Sequence, residues 1–143
     1  MPQDRESGAA AAKWGLQTAR RLAIALAATD LRANSNQCSI QNRRVALKTA
    51  REKTTKVGVT YAMLDRVEEV LGAWEVGPDR FEIWALSAKA FKRLMEPSHS
   101  RGPSAGKIGL VSKRDFQAEG ELRTTVRLPG APPTAATERQ ERQ

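Results

Sequence analysis

The sequence predicts a mainly α-helical domain that contains a helix-turn-helix and a small β-hairpin. Three observations predict it. An alanine-rich run over residues 9–31 carries apolar side chains at helical spacing. Residues 61–72 form the clearest amphipathic helix pattern in the chain. Between 74 and 85, apolar residues alternate with polar ones about a Gly77-Pro78-Asp79 turn. With 143 residues, the chain suits one compact domain with tails.

Taken in order, residues 1–8 read as a disordered lead. The domain runs over 9–96. Its first helix, 9–31, places Leu16, Ala19, Leu22, Ala23 and Leu26 on one face, and Ile24, Ala27, Ala28 and Leu31 widen it. Such a girth calls for burial, as the spine of the domain or as a homodimer interface. RANSNQ (32–37) is turn chemistry. Residues 38–41 suggest a short strand, and Asn42 is placed to cap a helix from Arg43 to about Thr54. Residues 42–56 carry Arg43, Arg44, Lys48, Arg51, Lys53 and Lys56 against Glu52 alone. Thr60 caps Tyr61–Gly72, with Met63, Leu64, Val67, Val70 and Leu71 turned to the core. The hairpin follows, and then Ser87 starts a short helix over 88–95. PSHSRGPSAG makes 97–106 a linker or loop. Residues 107–128 read as two short strands, either a strand pair or a C-terminal extension, and 129–143 as a disordered tail.

The run CSIQ, NRRVALKTAREKT, TKVGV, TYAMLDRVEEVLG, WEVGPDRFEIW resembles the winged helix-turn-helix DNA-binding superfamily of bacterial regulators and plasmid replication initiators. The resemblance covers about residues 14–95. It implies that Tyr61–Gly72 enters the major groove and that the Gly77–Arg80 turn acts as the wing. The outward face of that helix carries Asp65, Glu68 and Glu69 against Arg66, which disfavours phosphate. The cationic run before it is the better phosphate surface. The expected nucleic-acid contacts are therefore Arg43, Arg44, Lys48, Arg51, Lys53 and Lys56 on phosphate, with Thr60, Tyr61, Arg66 and Arg80 near bases or grooves. The bland alternative for the cationic run is a solvated helix face. Trp74 and Phe81 read as hairpin core, and Trp84, on the other face, as a protein-facing side chain.

The net charge is +8, and excess cations raise affinity for polyanions by releasing condensed counterions. Double-stranded DNA is the expected partner, in transcription regulation or in replication of a plasmid or other mobile element. RNA is a further candidate, and so is a protein partner, in the manner of an adaptor or phage-type inhibitor. No enzyme, cofactor or metal is expected. His99 stands alone in the linker, and Glu68 and Glu69 are adjacent rather than paired. One histidine and one cysteine, Cys38, cannot close a zinc site. Gly102–Lys107 has three residues between its glycines where a phosphate-binding loop needs four, and Ile108 stands where a hydroxyl is required. Cys38 reads as a small buried side chain in a reducing compartment. The apolar run 22–28 is far short of the roughly 20 residues of a membrane span. No secretory signal is evident at the N-terminus, so the expected location is cytoplasmic and nucleoid-associated.

Overall fold

The computed structural model describes residues 2–31, 36–98 and 107–129; within the first stretch, side chains are described at residue 10 and from residue 13 onward. The elements in order are α1 (Pro2–Ala25), β1 (Gln37–Ile40), β2 (Arg43–Ala50), β3 (Lys56–Thr60), α2 (Tyr61–Leu64), β4 (Glu69–Gly77), β5 (Arg80–Ser87), α3 (Ala88–Leu94), β6 (Glu96–Pro97), β7 (Ile108–Ser112), α4 (Lys113–Glu119) and β8 (Glu121–Arg127). A five-stranded sheet has the order β1-β2-β4-β5-β8, and a three-stranded sheet the order β3-β7-β6. The mainly α, winged helix-turn-helix expectation is therefore incorrect. Among the described residues, eight strands in two sheets stand against four helices, three of them of seven residues or fewer.

The reason lies in burial on both faces of the large sheet. Side chains of a strand point alternately to opposite faces. On β2, Val45 and Leu47 enter one core with Ala19, Leu22 and Ala23 of α1. Ala46 and Ala50 enter a second core with Val57 and Val59 of β3, Leu64 of α2, Phe91 of α3 and Phe116 of α4. Both faces are covered, so β2 reads VALKTA without alternation, as buried strands do, and imitates a helical run. The same holds for β4: Leu71 and Ala73 face α1, whereas Val70 and Trp74 face the second layer. The expected helix over 61–72 is one turn, Tyr61–Leu64, followed by a loop and a central strand.

Local chemistry sets the joints. Gln41 and Asn42 hold φ of 54° and 67°, the paired left-handed geometry of a tight hairpin turn between antiparallel β1 and β2. Asn42 thus turns a hairpin rather than capping a helix. The helix α1 stops where Ala27 adopts φ 60° and the Ala28 N–H reaches the Ala23 carbonyl at 2.9 Å, a Schellman-type ending. It starts at Pro2, taking in residues 2–8, and ends at Ala25 rather than 31. The β4–β5 hairpin turns at 77–80, where the sequence places it, and the Ser87 hydroxyl accepts from the Ala90 N–H at the start of α3. Strands β7 and β8 match the two expected over 107–128. They join different sheets, however, so this segment is part of the main body. Strand β4 runs parallel to β2 and antiparallel to β5, and β5 is antiparallel to β8. The ends of β2, β4 and β8 and the start of β5 therefore meet at one edge of the fold. Among the described residues no helix is long and apolar enough to cross a membrane.

Candidate nucleic-acid interface

The ten expected contact residues do not form one patch. Strand β2 is extended, so Arg43 and Ala50 lie about 23 Å apart at roughly 3.3 Å per residue. Alternation also divides its cations. Arg43 lies on the α1 side and gives an ion pair to Glu69 at 3.0 Å, whereas Arg44 and Lys48 share the opposite face with Ala46. Arg51 and Lys53 follow β2 in an exposed connection, and Lys56 is paired with Glu96 at 3.1 Å. The Thr60 hydroxyl accepts from the Met63 N–H as the cap of α2, and Tyr61 is half-buried against the second core. Arg66 leaves the loop after α2, and Arg80 opens β5.

Two clusters result. The first surrounds Gln37. In register Gln37 faces Ala46, and Ser39 faces Arg44, so all four lie on the face that carries Lys48. Gln37 is buried, and its Oε1 accepts from the Arg66 Nε at 3.2 Å. Beside them opens a cleft of about 280 Å³ lined by Asp30, Leu31, Gln37, Cys38, Ser39 and Arg44. The Ser39 hydroxyl donates to Asp30 Oδ2 at 3.2 Å. Burial pushes the Cys38 thiol up to about 11, so it adds no negative charge to the cleft at neutral pH. Burial lowers the Lys48 ammonium below its usual range.

The second cluster lies at the edge where β2, β4 and β8 end. Arg51 and Lys53 follow β2. Arg80 and Arg127 face each other across β5 and β8. The Lys113 N–H donates to the Thr55 carbonyl at 2.8 Å, which ties Lys113 and Arg114 at the start of α4 to the 51–55 connection. The Arg51 guanidinium rests on the Trp14 ring at 4.2 Å from its centroid, a contact that fixes the cation and leaves its N–H edges to solvent. The acidic side chains here are Glu52, Glu75, Asp79 and Asp115. None of them forms an ion pair with these cations. The opposite edge differs. There Glu69 holds Arg43 and Arg123, the latter at 2.6 Å, Glu121 also binds Arg123, Asp65 binds Lys92, and Glu119 binds Arg93. A bulge in β8 opposite Ile83 and Trp84 lets Arg123 reach Glu69.

Sequence reasoning found Arg51, Lys53 and Arg80 but missed Lys113, Arg114 and Arg127, and missed Trp14 as the support of Arg51. It also missed Gln37, Ser39 and Asp30. The three missed cations are isolated in the sequence, and only sheet register brings them beside the 51–55 connection. Trp84 is not outward. It is half-buried against the second core, and its Nε1 donates to Glu82 Oε1 at 3.1 Å. The second layer that covers this face is invisible in a hairpin pattern. Glu68 accepts from the Arg44 backbone N–H, so the adjacent Glu68 and Glu69 serve different neighbours. The histidine His99 and the Gly102–Gly106 stretch lie outside the described residues. Among the described residues no three His, Cys, Asp or Glu side chains gather as a metal site. Compared with known protein families, curated proteins and solved structures, the chain matches none.

Proposed function

We propose that this protein binds nucleic acid through phosphate, using the basic edge formed by Arg51, Lys53, Arg80, Lys113, Arg114 and Arg127. The observation that carries the reading is the Arg80–Arg127 pairing. Like charges directly opposite each other on neighbouring strands are destabilising. Neither side chain has an ion-pair partner among the described residues, and a phosphodiester backbone would supply the missing counter-charge. The chain-wide charge of +8 adds long-range attraction. The basic edge is built from strand ends, connections and the first turn of α4, so its contacts position a backbone rather than read bases. Double-stranded DNA fits this description, with the nucleoid as the corresponding location, and RNA competes for the same cations.

The test is fluorescence anisotropy with labelled duplex DNA, single-stranded DNA and RNA at low salt. Binding that weakens at least tenfold when Arg80 and Arg127 are both changed to Ala supports the proposal. Absence of binding to all three probes, or binding indifferent to those substitutions, sinks it. A second reading, docking on a protein, has its own observation. Ile24 is 73% exposed beside an apolar hollow lined by Arg21, Ala25, Leu128 and Pro129. The apolar side chains Ala19, Leu22 and Ala23 of α1 are spent in the chain's own core, and among the described residues of this helix Ile24 is the large apolar side chain left exposed to a partner, a second copy included. Changing Ile24 to Asp would abolish such docking and leave nucleic-acid binding intact.

A further inference from the structure

We propose that the cleft between β1, β2 and the 29–31 segment is a second site, which takes a terminal phosphate: a phosphomonoester carried by a nucleotide. This deepens the proposed function, because it distinguishes the end of a strand from its backbone. Three cations lie on one face by register. Arg44 lines the cleft and faces Ser39, Lys48 lies two residues beyond Ala46 on the same face, and Arg66 is anchored to Gln37, the residue facing Ala46. None of the three has an ion-pair partner among the described residues. Strand β1 starts at Gln37 opposite Ala46, so Lys48 lies just past the last β1–β2 pair rather than beneath that strand.

The chemistry selects a monoester over an internal diester. A monoester carries close to two negative charges at neutral pH and three acceptor oxygens. Two guanidiniums and an ammonium match that set, whereas a diester offers one charge. Arginine forks suit phosphate geometry, and desolvation at Lys48 strengthens any contact it makes. The cleft holds about 280 Å³, near the lower bound of ligand sites and enough for one nucleotide unit. Its other rim is polar in a different sense. The Asp30 carboxylate, which accepts from the Ser39 hydroxyl at 3.2 Å, repels a phosphate and can accept from sugar hydroxyls or base N–H groups. Phosphate at the Arg44 side and sugar or base at the Asp30 side give the ligand one orientation.

The experiment compares 12-nucleotide strands that carry a phosphate or a hydroxyl at the 5′ or 3′ end, and separately titrates a free nucleoside 5′-monophosphate by calorimetry. The expected result is a preference of about tenfold or more for one phosphorylated end, the loss that goes with one charge-assisted hydrogen bond. Arg44→Ala and Lys48→Met should remove this preference while backbone binding through Arg80 and Arg127 persists. Arg44 is exposed, and its backbone N–H to Glu68 survives the Ala change, so circular dichroism should show a folded variant. Equal affinity for phosphorylated and hydroxyl ends, with no monophosphate binding, overturns the inference and leaves the proposed backbone surface standing. Monophosphate binding that Arg44→Ala abolishes, with no strand binding at all, keeps the cleft and overturns the wider reading; it also identifies a free nucleotide as the source of the phosphate. Monophosphate binding unaffected by Arg44→Ala and Lys48→Met overturns the cleft assignment.

Discussion

Gly72 stands at the centre of β4, between Lys48 of β2 and Trp84 of β5, and is buried. A Cβ at this position would lie 2.7 Å from Trp74 Nε1 and 3.2 Å from two atoms of the Phe116 ring. Neither ring has room to retreat. Trp74 is 1% exposed and Phe116 0%, they meet edge-to-face with centroids 5.6 Å apart, and Phe91 backs Phe116 at 6.2 Å. Removing a glycine from a strand normally gains about 0.5–1 kcal/mol of chain entropy. Forcing a methyl into a packed core costs about 1–3 kcal/mol. Gly72→Ala is therefore expected to destabilise by about 1–2 kcal/mol, a shift of about 0.5–1 M in the urea midpoint. Urea unfolding followed by tryptophan fluorescence and far-UV dichroism measures it. The double variant with Trp74→Phe isolates the cause. The smaller ring removes the clashing Nε1, an N–H with no hydrogen-bond partner among the described residues, so in that background Gly72→Ala should lose less than half as much. An alanine at 72 that leaves stability unchanged or raises it would refute the packing of the second core as described.

Further expectations follow from single residues. Cys38 is buried, with its thiol pushed up to about 11. Its folded value lies above its unfolded one, so the stabilisation is full below pH 9 and is lost as pH rises through about 11. At pH 8 the native protein should react with a thiol reagent only on a time scale of hours, and at once in denaturant; prompt native reaction contradicts the burial. Lys48 has the opposite sign. Its lowered value means that the charged form is penalised in the fold, so Lys48→Met should raise the melting temperature at pH 7, by an amount that shrinks as pH approaches 10.5. A variant that melts lower at neutral pH would count against this. Glu69 is 12% exposed and bridges Arg43 and Arg123. Glu69→Ala should cost about 1–3 kcal/mol in thermal unfolding, and Arg43→Ala, at a half-exposed partner, less than about 1 kcal/mol. Equal costs would show that Glu69 does not organise the pair.

Legibility in the sequence followed burial symmetry. The hairpin about Gly77-Pro78-Asp79, the Ser87 cap and the strands within 107–128 were legible because turn chemistry or alternation marks them. Strands β2 and β4 were not. Covered by α1 on one side and by the second layer on the other, they show unbroken apolar runs that fit helical spacing as well as strand spacing. Asn42 fits a helix cap as well as the hairpin turn it makes, because asparagine serves both roles. The error passed directly to the site. A helix would have gathered Arg43, Arg44, Lys48, Arg51 and Lys53 on about two faces, whereas the strand and the connection after it send Arg43 to Glu69, Arg44 and Lys48 to the opposite face, and Arg51 and Lys53 to the basic edge. Arg51, Lys53 and Arg80 were legible as cations. Their neighbours Lys113, Arg114 and Arg127 arrive through pairing across the sheets, for which no local signal exists.

The claim that phosphate is held by the basic edge is tested most directly by the salt dependence of duplex DNA binding. Each phosphate neutralised contributes about −0.9 to the slope of log affinity against log salt. Changing Arg80 and Arg127 together to Ala should make that slope shallower by about 2, with Arg43→Ala leaving it unchanged because Glu69 already holds that cation. A slope and affinity unaltered by the Arg80 and Arg127 changes would contradict it.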